Sequence, residues 1–469
     1  MASLLSGLEV ARQALQAQQY GLDVTQNNIA NVNTSGYARQ RVTFTPGEPL
    51  EQIGYQASEG VRVDSVQSAR SSFLDYRVNQ ELSQQSQLDA SSSALQQVES
   101  LFNENSNSGL QSSISNFFNS FSSLANTPED ASLRQQVLAN GQAMGTQFKQ
   151  TYEQLQSIQQ SVDGQVADTV NQINTLSSSI AQLNVAVASS RGSDSNENSL
   201  RDQRQQLVDQ LGGLVDISYC EDNAGNLTIT TRQGALLVAG NTSNSWHTVK
   251  SPTSGNLLAV YSGNTDITST IQSGTLGGLL DVRDSKVTSY LSSLDNMAAG
   301  IISQVNAQHA KGADLNGDPG GNFLVPFVQP APGSNEGAAR AISVAISDPD
   351  KIAAGEVGAG TGSNTNAKLL ADIQNQPLLP GDSASLNQHY QNLIFTIGLD
   401  TQTAVDGLST QNQVLTQLQN QRDSVSGVSL DDEAVNVLRY QKAYEANCQV
   451  ISVLDTLTGD LMQMFGGSG

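Results

Sequence analysis

Leu8, Leu15, Leu22 and Ile29 stand seven residues apart, with Ala11 and Val32 on the flanking line of the same face. On a helix this spacing makes a narrow apolar seam, wide enough for helix–helix contact and too thin to cover a globular core. Ser6 and Glu9 have the S-x-x-E spacing of a capping box, and a start at Ser3 fits equally. The other faces carry Gln, Asn and Ala with few charges, so the helix is marginal alone in water and needs a partner. It stops where Asn31, Asn33, Thr34 and Ser35 offer the backbone competing side-chain bonds. Gly36 can then take the left-handed conformation of a C-terminal cap, and the residues from Tyr37 to Phe44 alternate as extended chain.

The far end mirrors this. From Ser429 to Phe465 the apolar residues, among them Val435, Leu438, Val450, Ile451, Leu454, Leu457, Leu461 and Met464, keep a 3–4 spacing. Ser429 suits an N-cap, and Asp431, Asp432 and Glu433 fill the first turn, where the helix dipole favours acids. Cys448 falls inside the apolar pattern and reads as a small buried hydrophobe. Two narrow-seam helices at opposite ends predict pairing with each other or with neighbouring subunits. An ordinary antiparallel pair closing a globular fold fits the pattern equally.

Between the ends, residues from Phe73 to Gly212 read as helix, broken at Asn103–Gly109, before Thr127-Pro128, and around Gly192. Thr127 as N-cap with Pro128 at the first helical position predicts the start of one long helix. Its stripe runs from Phe148 to Val187. A continuous helix of about 60 residues would extend ~90 Å. At Leu214 the period changes to two, and short strands are predicted to Tyr261 around an Asp222–Asn226 turn. Helix returns from Leu279 to His309, a Gly/Pro-rich loop follows, Ala341–Ile346 suggests a further strand, and Ser385–Arg422 a long helix. The predicted fold is an α+β multidomain chain: a long coiled-coil-like helical bundle built from both chain ends, with an inserted β-rich outer domain. Its expected parts are a terminal-helix core (1–50 and 425–469), a helical bundle (51–213, 275–312 and 378–424) and a β-rich outer domain (214–274 and 313–377).

Composition narrows function. The net charge of −22 and the absence of a basic patch argue against nucleic acid. No run approaches the ~18 apolar residues of a membrane span, and the N-terminus lacks the basic and apolar regions of a cleaved signal peptide. Three histidines, His247, His309 and His389, lack metalloprotease spacing, and two cysteines make no framework. Asp314-Leu315-Asn316-Gly317-Asp318 begins like a calcium loop, but Pro319 and Val325 stand where Gly and Glu are required, leaving an Asx-rich turn. No enzyme, cofactor or metal is expected.

Asn27–Gln40, NNIANVNTSGYARQ, resembles the N-terminal signature of the bacterial flagellar axial proteins, the rod, hook and hook-associated group. The stretch from Ser426, SGVSLDDEAVNVLRYQKAYEANCQVISVLDTLTGDLM, is similar to that family's C-terminal end. Gly274-Thr275-Leu276-Gly277-Gly278-Leu279-Leu280 through Arg283-Asp284 resembles an internal segment of its hook-associated branch. The resemblance implies a structural subunit of the flagellum at the hook–filament junction, needed for filament assembly, with a hook or distal-rod subunit as the alternative. An exported adhesin or enzyme carried by the β domain is a more distant one. The resemblance further implies self-association in a ring, with both terminal helices forming a tube wall. Implied partners are hook protein, a second hook–filament junction protein, and a FlgN-like export chaperone on the C-terminal helix. The implied location is extracellular, in the flagellum, reached without a cleaved signal peptide. The assembly residues then expected are Leu8, Leu15, Leu22, Ile29, Asn31, Gly36, Tyr37, Ile451, Leu454, Leu457 and Leu461. Residues 1–50 hold three acids (Glu9, Asp23, Glu48) and three arginines (Arg12, Arg39, Arg41), so the −22 lies mostly elsewhere.

Overall fold

The computed structural model describes the chain apart from residues 1, 35, 48, 53–54, 59, 103–108, 192–193, 253–254, 380–382 and 467–469. Helix α1 (Ala2–Ala30) leads through a turn into a two-stranded antiparallel ribbon, β1 (Gln40–Pro46) with β4 (Val61–Ser68). The hairpin of β2 (Pro49–Gln52) and β3 (Tyr55–Ser58) lies between those two strands in sequence. Val42, Val66, Phe44 and Val63 on the ribbon pack with Val24 of α1 in a small core of their own.

The body begins with α2 (Ser72–Phe102), α3 (Leu110–Leu124), α4 (Ala131–Ser189) and α5 (Asp194–Leu214). Helix α4 runs unbroken for 59 residues. Its cap is Asp130, whose carboxylate accepts Ser132 N–H at 2.7 Å and Leu133 N–H at 3.2 Å. Thr127 and Pro128 instead form the preceding turn. A carboxylate is the stronger acceptor for orphan helix N–H groups, and the Pro128 carbonyl is taken by Arg134 Nε at 2.7 Å.

Next comes a four-stranded sheet of β5 (Ile217–Glu221), β6 (Leu227–Thr231), β7 (Leu236–Ala239) and β8 (Thr242–Ser243). A three-stranded sheet follows: β9 (Trp246–Lys250), β10 (Leu258–Ser262) and β11 (Thr265–Asp266). Side chains of α4 fasten both sheets. Asn184 donates to the carbonyls of Leu227 and Gly240, Asn174 exchanges two bonds with the Trp246 backbone, and Asp163 accepts Leu258 N–H. Spaced eleven and ten residues apart, the three share one face of α4.

Helix α6 (Gly274–Asp281) passes through a π-helical segment, Val282–Lys286, into α7 (Val287–His309). A Cβ on Gly278 would lie 2.3 Å from the Gln87 carbonyl oxygen of α2, so α6 and α2 meet backbone to backbone. Arg283, buried in the π segment, reaches Asp163 at 2.6 Å and the Leu258 carbonyl at 2.7 Å. The Gly-Gly…Arg-Asp motif thus joins the three-stranded sheet, α4 and α2.

The remaining elements are β12 (Gly312–Ala313), α8 (Ala338–Ala341), β13 (Gly355–Glu356), α9 (Thr365–Asp372), α10 (Leu386–Ser426) and α11 (Leu430–Gly466). Helix α10 runs antiparallel to α2: Gln411 donates to the Glu81 carbonyl, and Leu88 covers Gly407. The stretch 313–377 departs from the expected strand-rich domain. Ala341 ends a short helix, and the 341–346 stretch forms no strand but one isolated bridge, Leu324 with Val344. The β structure of the segment is otherwise the two-residue pair of β12 with β13 and short bridges. This stretch packs on the opposite end of α4 from the sheets. Arg134 donates to the carbonyls of Pro349 and Ile352, and the Ile342 carbonyl crowds Gly145. Arg134 and Asn184 are 50 residues apart on one helix, roughly 75 Å. The segment is an irregular cap whose core is Phe323 among Phe117 and Phe121, with centroids 5.6 Å away. In its Asx turn, Asp314 and Asp318 hold the ammonium of Lys351 at 2.9 and 3.3 Å. Cys448 is exposed, because α11 has a partner on one side only.

Candidate assembly interface

Helices α1 and α11 pair antiparallel, in a register shown by three contacts. Gly7 faces Leu454, Gly21 faces Tyr440, and Asn28 bonds Glu433. Each step of seven or fourteen residues along α1 is matched by the same step back along α11, the signature of a heptad seam. A Cβ on Gly21 would sit 2.8 Å from the Tyr440 ring, so glycine is the notch that admits this aromatic. Tyr440 is buried, meets Phe44 of β1 edge-on at 6.3 Å, and lies under the Arg439 guanidinium at 5.0 Å.

The buried line of α1 is Ala11, Ala17, Gly21, Val24, Thr25 and Asn28. The heptad leucines stand beside it: Leu8, Leu15, Leu22 and Ile29 are all half-buried. On α11, Ile451, Leu454 and Leu461 are half-buried, whereas Leu457 is 46% exposed. Leu457 belongs to a second apolar stripe with Val435, Leu438, Val450, Val453 and Met464, each between 46% and 77% exposed. Helix α11 therefore has two apolar sides, and α1 covers one.

The residue that organises the exit from α1 is Asn28, 1% exposed. Its Nδ2 donates to the Gln40 carbonyl at 2.9 Å and to Glu433 Oε2 at 3.2 Å. Its Oδ1 accepts Gln40 N–H at 2.9 Å and the Tyr37 hydroxyl at 2.8 Å. One amide thus joins α1, the exit segment, β1 and α11, with all four hydrogen-bonding positions filled. Asn31 works locally, donating to the Asn27 carbonyl and accepting Thr34 Oγ1 as the helix ends. Gly36 adopts φ 77°, and a Cβ there would meet Gln206 of α5 at 2.7 Å. The Tyr37 hydroxyl is pushed up to about 12 by burial, with Asp202 and Glu433 acting in the same direction. Reasoning from apolar periodicity passes over Asn28. The cue was its place in the Asn-Asn-Ile-Ala-Asn run, where a polar residue falls on the helix face that must be buried.

Three family models match separate parts of the chain. The flagellar hook-associated protein FlgK helical domain matches residues 95–324, the basal body rod protein matches 8–37, and the rod FlgEFG protein C-terminal region matches 419–464. Flagellar hook-associated protein 1 of Bacillus subtilis is 31% identical, the alignment covering 100% of both chains. The chain belongs to the flagellar hook-associated protein 1 family. The Escherichia coli protein of the same name is 27% identical over 99% of this chain and 100% of its own. The solved structure of the flagellar hook junction protein FlgK from Burkholderia pseudomallei matches at a TM-score of 0.68, with 19% identity, covering 75% of this chain and 100% of that one. That likeness establishes the shared fold: long helices with a β-containing middle. Membership makes this hook-associated protein a structural component of the flagellum, in the junction between hook and filament, associated with other axial proteins. Among the described residues no group of three or more His, Cys, Asp or Glu could hold a metal, and no helix is long and apolar enough to cross a membrane.

Proposed function

We propose that the α1–α11 pair, residues 1–50 with 425–469, is the tube-forming unit by which copies of this chain close into a ring at the hook tip. Hook protein would sit on one side and the second junction protein on the other. The observation that carries this reading is the uncovered stripe on α11, Val435 to Met464, on a helix that α1 already covers along a different line. A polar but sparsely charged α1, with Leu8, Leu15, Leu22 and Ile29 only half-buried, likewise leaves apolar area for a neighbour. The bundle and the outer parts would point outward and carry most of the acidic charge. Before assembly the exposed stripe needs cover, which suits a FlgN-like chaperone on α11, and export without a cleaved signal peptide to the cell exterior. Leu22→Asp and Leu457→Asp each test the assignment. Both should leave thermal unfolding of the body unchanged and abolish filament growth. Normal filaments on cells carrying either variant would refute it.

A further inference from the structure

The chain leaves the terminal helices through residues 36–40, and the body grips it there. Asp202 of α5 accepts Ala38 N–H at 3.3 Å and the Arg70 guanidinium at 2.9 Å. Arg70 also donates to the Gly36 carbonyl at 3.1 Å and faces Asp75 of α2 at 3.6 Å. Asp75 and Asp202 are each 6% exposed and share this one guanidinium. A buried carboxylate–guanidinium–carboxylate triad carries a net charge of −1 out of water, which desolvation makes costly. Two carboxylates converging on one site relieve that cost by holding a proton.

The surroundings do not cancel the excess. Helix α10 brings Arg422, 3.9 Å from Asp209 of α5 and 3.3 Å from its neighbour Asp423. Strand β5 brings Tyr219, the exit segment Tyr37, and α11 brings Glu433 together with Asp432, which faces Arg39 at 3.8 Å. Arg201 and Arg204 of α5 are both engaged by Glu221, and Arg201 also by Glu197. Asp75, Asp202 and Asp209 are therefore answered chiefly by Arg70 and Arg422.

We propose that this joint is proton-linked: seating the exit segment against α5 and α2 takes up one proton between Asp75 and Asp202, so mild acid tightens the attachment of the terminal helices to the body. Burial raises both carboxyls above the usual range, with Arg70 opposing. A folded value above the unfolded one gives stability that is complete below about pH 4 and fades as pH rises through the raised value. Protection of the joint therefore increases from pH 7 toward pH 5. The link concerns the joint alone and holds whatever the terminal helices dock against.

The test is amide exchange of the full-length protein, read as protection factors for Ala38, Arg39 and Gln40 at pH 7 and pH 5. Wild type should gain protection toward acid, because proton uptake favours the seated state, by at most about tenfold for each pH unit. Asp75→Asn keeps the shape and removes the excess charge. It should show the acid-level protection already at pH 7, with a flat profile. If its α4 amides show that the body is disturbed, Asp202→Asn is read the same way. A wild-type profile that is flat or falls toward acid overturns the proposal, as does an intact variant that still titrates like wild type.

Discussion

Replacing Asn28 by Ala removes four bonds at the point where α1, β1 and α11 meet. The Tyr37 hydroxyl is half-buried and can turn to water, whereas Gln40 and Glu433, 7% and 2% exposed, cannot. Each enclosed group left unpaired costs about 1–3 kcal/mol, so the Gln40 N–H and C=O with the Glu433 carboxylate sum to about 4 kcal/mol after local relaxation. That is roughly a thousandfold in the opening equilibrium of the terminal unit. The cost is local, because the bonded groups lie on the exit segment, β1 and α11. Amide exchange should show that loss across residues 24–46 and the first turns of α11, with α4 unchanged. Asn28→Asp tests the same point without creating a cavity: it loses both donated bonds and sets a carboxylate against Glu433, so it should fare no better. A loss below fivefold, or one spread evenly into α4, would show that Asn28 is not the clamp described.

Gly21→Val drives a branched side chain into the Tyr440 ring and should separate α1 from α11, read as loss of helical circular dichroism with the body's unfolding transition kept. His309 is neutral and buried: its Nε2 accepts Ala353 N–H and its Nδ1–H donates to the Gly321 carbonyl. Burial lowers its pKa, so the stability it lends is present above its ordinary value near 6.5 and is lost as pH falls below it. Exchange at residues 312–321 and 353 should therefore speed up in acid, after correction for intrinsic rates, in the opposite sense to the joint. Arg283→Met leaves Asp163 and the Leu258 carbonyl without their cation and should release the β9–β11 sheet to proteolysis, at a cost of about 3 kcal/mol. Equal protease resistance to wild type would contradict that account.

Long periodic segments declared themselves in the sequence because their burial repeats every turn. The α4 stripe from Phe148 to Val187 and the long helix that begins after Ser385 are both where pattern places them. What pattern missed was set by contacts remote in the chain. Residues 313–377 join the expected β-rich domain on one strand reading, Ala341–Ile346, in an otherwise Gly/Pro-rich stretch, yet Arg134 and Gly145 draw them onto the far end of α4. Cys448 reads as buried only if α11 is enclosed on all sides, which a lone chain does not do. The seam of α1 lies one position from its leucines because Tyr440 and Leu454 need the space over Gly21 and Gly7. The Asn-Asn-Ile-Ala-Asn run was recognisable as a signature, while its mechanism required the 405-residue separation between Asn28 and Glu433 to be closed.

The central claim is that α11 keeps one apolar side for another subunit. With Cys220 and Cys448 replaced by serine, Leu457→Cys places a single thiol on that side. Maleimide labelling of the isolated chain and of hook–filament preparations then reads its cover directly. The account predicts full labelling of the free chain and near-complete protection in the assembled junction. Equal labelling in both would contradict it.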